Sequence, residues 1–67
     1  MNRADAESLK RLGLDAVVSL SKLLELARTK CSDEEYQAIK KGIGLGIGLI
    51  ETDVLGQLYR QFPDLRD

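Results

Sequence analysis

The residues with chemical potential fall into four groups. Gly42, Gly44, Gly46 and Gly48 alternate with Ile43, Leu45, Ile47 and Leu49. Glycine-rich stretches bind phosphate when their backbone amides converge on an anion at the start of a helix. The dinucleotide pattern G-x-G-x-x-G is not met, because Ile47 and Leu49 stand where its third glycine is required, and no G-K-[ST] follows. Close packing of helices accounts for the glycines better than a phosphate cradle does; a glycine-lined ligand cleft is the remaining option. Glu51 and Asp53 are two residues apart, so a helix sends them to different sides, a poor arrangement for shared acid and base work. They are expected to be solvated or paired with a base such as Lys40 or Arg60, with Asp53 nearer the apolar face. Cys31 is the single thiol and the chain has no histidine, so only a lysine could activate it as a nucleophile. It reads as a half-buried end of an apolar helix face. Tyr36 and Tyr59, with Lys40, Lys41 and Arg60, could stack on bases, but Tyr36 belongs to an apolar stripe and the two lysines point apart. No catalytic constellation, metal-ligand set or cofactor motif results. The chain is expected not to be an enzyme and to need no cofactor.

Composition sets further bounds. A core of 67 residues supplies only about 3 to 5 kcal/mol unless disulfides, metal or oligomerisation add to it. One cysteine excludes an intramolecular disulfide, and one cysteine without histidine excludes a structural zinc site. Oligomerisation remains. A 43% apolar and 31% charged chain is that of a folded protein. The net charge of -1 provides no general attraction to nucleic acid or anionic membrane. The polar segment from Met1 to Lys10 lacks the apolar core of a secretory signal. The apolar run from Gly42 to Ile50 is about half the length of a membrane span. A cytoplasmic location is the expectation, with no membrane partner and with nucleic acid an improbable one.

The elements that would position these residues are helices. Leu9, Leu12, Ala16, Val17, Leu20, Leu23, Leu24, Ala27 and Cys31 recur at helical spacing and predict an amphipathic helix over about 4–30. Arg11, Asp15, Lys22, Glu25 and Thr29 lie off that face. Gly13 could break the helix, but it projects onto the apolar face, where a missing side chain lets another helix come close, and continuity is favoured. A turn at about 30–32 ends on the capping-box signature of Ser32 and Glu35, in which the Ser32 hydroxyl and the Glu35 carboxylate each accept the other's backbone amide. Asp33, Glu34 and Glu35 suit the start of the second helix, and Arg28 and Lys30 the end of the first. Ile39, Ile43, Ile47, Ile50, Val54 and Leu58 carry the second helix over about 33–62, ended by Pro63. The tail 63–67, with only Leu65 to pack, is expected to fray or to dock on a partner.

Two long helices joined by so short a turn run antiparallel. The fold class is therefore all-α, an antiparallel two-helix hairpin forming a single domain over residues 1–67. An alternation of period two could mark 42–48 as a strand, but the helical series continues on both sides and a strand would lack a partner. In a helix each glycine costs about 1 kcal/mol relative to alanine, which implies compensation by close contact. Gly44, Gly48, Thr52 and Gly56 form a small-residue ridge, with Gly42 and Gly46 on another side. Leu45 and Leu49 project away from the main face, as do Leu14 and Val18 on the first helix. A single partner helix cannot enclose all of these. The hairpin is expected to pair into a four-helix bundle as a homodimer, or into a higher oligomer, through Leu14, Val18, Gly44, Leu45, Gly48, Leu49, Thr52 and Gly56.

In architecture this layout is similar to the repressor-of-primer family of plasmid regulators: a chain of this size, a helical hairpin with an acidic turn, and a dimeric bundle. The resemblance implies action on paired RNA loops through polar and aromatic residues of the first helices, and those residues have no counterpart here. The exposed side of the first helix carries Arg3, Lys10, Arg11 and Lys22, interrupted by Glu7, Asp15 and Glu25. The expected function is a non-enzymatic, self-associating interaction or regulatory module, whose partner is a second copy of itself or another protein. The alternatives are a bundle that binds RNA or DNA and a bundle with a glycine-lined ligand pocket.

Overall fold

The structure is a computed structural model that describes residues 1–66. Its backbone is helical nearly throughout, with no strand among the described residues. Helix α1 spans Arg3–Lys30 and α2 spans Asp33–Leu49. The second arm continues through a π-helical segment, Ile50–Leu55, into α3, Gly56–Gln61, and ends in a 3-10 turn, Pro63–Arg66. Helix α1 is unbroken at Gly13. The helices form a rod of 45 × 18 × 15 Å.

Local chemistry fixes the start of both long helices. Asn2 caps α1 by accepting the Asp5 amide at 2.8 Å. At the start of α2 the Ser32 hydroxyl accepts the Glu35 amide at 3.2 Å, and the Glu35 carboxylate accepts the Ser32 amide at 2.8 Å. These bonds hold the Glu35 carboxyl below its ordinary value of 4.5, the Ser32 backbone amide contributing most.

The seam between the two arms differs from the one expected. On α1 the buried and half-buried positions are Ala6, Lys10, Gly13, Val17, Leu20, Leu24, Ala27 and, just past its end, Cys31. Leu9, Leu12, Ala16 and Leu23, which the apolar pattern assigns to the same face, are exposed. The reason is geometric. The apolar arc of α1 is wider than one partner helix can cover, so α2 occupies one side of it and leaves the other open.

The second arm carries a change of phase. Tyr36, Ile39, Ile43, Ile47 and Ile50 face α1 at steps of three and four; the inward series then resumes at Leu55, Leu58, Phe62 and Leu65 after a step of five. That step is the π-helical segment, where the Gly56 amide donates to the Glu51 carbonyl. The Thr52 hydroxyl donates to the Gly48 carbonyl at 2.9 Å where the coil widens. Val54, expected in the core, is therefore 48% exposed, while Leu55 is 3% exposed. Leu55 also explains Gly13: a Cβ there would lie 2.9 Å from Leu55 Cδ2. Within the chain, the closest approach to a glycine occurs at Gly13 and not in the 42–48 stretch.

Residues 63–66 of the tail are folded rather than frayed, and residue 67 lies outside the described residues. Leu65 joins Ala6, Leu55 and Leu58 in the main buried cluster, with Ile50, Tyr59 and Phe62 against it. Polar contacts fasten the tail to α1: the Lys10 ammonium donates to the Leu65 carbonyl, and Arg3 pairs with Asp64. The Tyr59 ring lies between two cations, Lys10 Nζ at 5.8 Å and Arg66 Cζ at 5.4 Å from its centroid. The best-packed region is thus the open end of the hairpin.

Two outcomes follow for the isolated fold. Leu65→Ala is expected to lower unfolding stability by about 2 to 3 kcal/mol in urea titrations at one fixed protein concentration; unchanged stability would mean that the tail is not docked. Glu35 is an acid with a lowered folded pKa, so its contribution is present above its unfolded value and is lost as pH falls through the folded one. Glu35→Gln is therefore expected to be less stable than the parent at neutral pH, and the difference should close on acidification. A constant offset across the titration would contradict the capping geometry.

Candidate self-association surface

At 100° per residue, the seam places every other residue of α1 on a known side. Leu9, Leu12, Ala16, Ser19, Leu23 and Leu26 form one flank about a quarter-turn from the seam, and all are exposed. Between Ser8 and Leu26 this flank carries no charge. Leu14 and Val18 lie on the opposite flank, also exposed. On α2 the same geometry places Gly42 and Leu49 beside the long leucine flank, and Gly44 with Lys40 beside Leu14 and Val18. Leu45 points almost directly away from α1 and is 63% exposed.

The anticipated interface residues are therefore divided. Leu14 and Val18 share a side with Gly44; Leu45 and Thr52 face outward; Leu49 sits on the other flank and Gly48 on the back of the hairpin. No heavy atom of a neighbouring element lies within 4 Å of a Cβ built at Gly42, Gly44 or Gly48, while one at Gly46 would meet Leu20 Cδ1 at 4.0 Å. Gly56 opens α3 directly after the π-helical segment, where a Cβ would meet the Glu51 carbonyl at 3.5 Å. Leu9, Leu12, Leu23 and Leu26 were not among the anticipated interface residues. Their signal was the uncharged heptad-like spacing on α1, which the pattern also allowed to be core.

Several open grooves mark the surface. Leu23, Leu26, Ala27, Lys30, Cys31 and Ile39 line an apolar one of about 300 Å³ near the turn. Gln37, Lys40, Lys41, Gly44 and Leu45 bound another of about 430 Å³ along α2. Both are open to solvent, unlike an enclosed ligand cavity.

The polar groups show no convergence on a reacting centre. Glu51 and Asp53 are exposed, and the Asp53 carboxylate lies 3.0 Å from the Thr52 hydroxyl, where it competes with the Gly48 carbonyl for the single hydroxyl proton. Arg28 donates to the Tyr36 hydroxyl at 3.4 Å, which raises the pKa of the guanidinium. Lys10 is engaged with Leu65 and Tyr59, so it does not join Arg11 and Lys22 in a free basic patch. No group of three or more potential metal ligands occurs among the described residues, and no helix among them is long and apolar enough to cross a membrane. No protein-family model matches the chain, and no curated protein or solved structure matches it significantly.

The open space over Gly44 and Gly48 sets a direct test. Gly44→Ala and Gly48→Ala are each expected to stabilise the protein by about 0.5 to 1 kcal/mol, because they gain helix propensity and meet no neighbour. A loss of stability accompanied by weaker assembly would place another helix over these glycines, as would disruption of the assembly by Gly48→Leu through overpacking of about 1 to 3 kcal/mol.

Proposed function

We propose that this chain is a non-enzymatic, self-associating helical protein that acts through its homo-oligomer as an interaction or regulatory module, in the cytoplasm, where Cys31 stays reduced. One observation carries the reading: among the described residues ten large apolar side chains are exposed, against six buried apolar residues. Scattered exposed leucines are ordinary on a protein surface. Leu9, Leu12, Leu23 and Leu26 are not scattered, since they follow one line along α1 and continue onto α2 at Leu49. An uncharged, largely apolar face of this kind marks an interaction site.

The surface area supports the same reading. The chain exposes 4990 Å², whereas a compact monomer of its mass exposes about 4,200 Å². The excess, roughly 800 Å², is about what each partner buries in a protein interface of standard size. It arises from the rod shape, and side-by-side pairing of two rods is the simplest way to remove it. A four-helix bundle is the form such pairing takes when both arms participate.

Sedimentation equilibrium and thermal melts over a range of concentrations test the proposal. A dimer or larger assembly at micromolar concentration is expected, with a melting temperature that rises with protein concentration. A folded monomer whose melting temperature is independent of concentration would overturn it.

A further inference from the structure

The long flank of α1 has an order that bears on how two copies meet. Its positions are Asp5, Leu9, Leu12, Ala16, Ser19, Leu23, Leu26 and Lys30, at successive steps of 4, 3, 4, 3, 4, 3 and 4. This series reads the same in both directions about a point midway between Val17 and Val18. Reversed and laid against itself, it sets Leu9 opposite Leu26, Leu12 opposite Leu23, and Ala16 opposite Ser19. The two residues nearest the midpoint are small, so the helices can approach closely there, and the leucines fill the space on either side. At the ends, Asp5 falls opposite Lys30. Both are exposed, and neither forms an ion pair among the described residues.

We infer that α1 pairs antiparallel with α1 of a second copy along this flank, about a two-fold axis between Val17 and Val18, with Asp5 of each chain facing Lys30 of the other. The inference rests on the self-association proposed above and adds its face, direction and register. Charge selects the direction. A parallel pair in register would set Asp5 against Asp5 and Lys30 against Lys30, whereas the antiparallel pair makes two attractive contacts, one at each end. A two-fold arrangement also closes, so the flank is consumed by a single partner and does not propagate into a fibre. Leu9, Leu12, Leu23 and Leu26 are thereby covered without any rearrangement of the hairpin, and Gly42 and Leu49 of α2 lie along the same side, where the second arms of the two copies would meet.

Charge exchange provides the test. Asp5→Lys alone and Lys30→Asp alone are each expected to raise the dimer dissociation constant about tenfold, because each replaces two attractions by two repulsions. The double variant Asp5→Lys/Lys30→Asp is expected to return it close to the parent value. In a parallel dimer the double variant would show no such recovery.

Disulfide trapping gives a second readout that does not depend on weak surface electrostatics. In a Cys31→Ser background, chains carrying Ala16→Cys are expected to cross-link with chains carrying Ser19→Cys on mild oxidation. Neither should link efficiently to its own kind, since only opposed positions bring the sulfurs within reach. Asp5, Ala16, Ser19 and Lys30 are exposed and Cys31 is half-buried, and circular dichroism would establish that each variant keeps its helices. If the parent protein sediments as a monomer, self-association and this pairing fall together. If it dimerises but shows neither charge recovery nor mixed cross-links, self-association stands and this face and register are overturned.

Discussion

Two helices in contact share one seam, and a seam covers only a narrow stripe of each cylinder. In this chain that stripe on α1 holds Ala6, Gly13, Val17, Leu20, Leu24 and Ala27, residues of modest size apart from the two leucines. Small residues bring the axes together but contribute little apolar area. The larger leucines sit on either side of the seam. The exposed face, the elongated shape and the location of the best-packed cluster at one end all follow from that distribution. Where α1 and α2 alone face each other, Ala27 and Ile43 are buried and the rest of the seam is half-buried; among the described residues a closed cluster forms where the tail supplies a third layer, through Leu65 and Phe62.

Features that depend on neighbours in sequence were legible from sequence. The Ser32 and Glu35 cap involves residues three apart, and the bonds it predicts are the bonds observed. The all-helical hairpin follows from two apolar series and the short turn between them. Features that depend on which surface meets which were less legible. Leu9, Leu12 and Leu23 share an apolar arc with Val17, Leu20 and Leu24, and periodicity cannot divide such an arc into a half facing α2 and a half facing water. The exchange of Val54 for Leu55 was hidden for a related reason. Both residues are apolar and adjacent, so a one-residue slip in phase leaves the pattern almost unchanged.

The tail shows a different limit. Leu65 alone is a weak signal, because one apolar residue in five cannot outweigh the entropy of ordering its neighbours. What holds it is a set of contacts distant in sequence: Lys10 to the Leu65 carbonyl, Arg3 to Asp64, and Tyr59 between two cations. Each involves exposed or half-exposed charge and is weak by itself. They act together because Leu65 is already buried against Ala6 and Leu58. The same engagement removes Lys10 from the basic side of α1, so a residue that reads as a nucleic-acid contact in the sequence is a structural clasp in the fold.

The two arms also differ in how firmly each can serve as a platform. Helix α1 is built largely of leucine, alanine, lysine, arginine and glutamate with a single glycine in its interior, a composition that favours helix on its own. Helix α2 has four glycines between residues 42 and 48 and runs directly into a π-helical turn, so its middle is held by contact with α1 more than by its own propensity. A binding surface placed on α2 would have to bear the cost of ordering that stretch. One placed on α1 uses a helix that is already formed, and association there would steady α1 and, through the Leu20 and Gly46 approach, the weaker arm that packs against it.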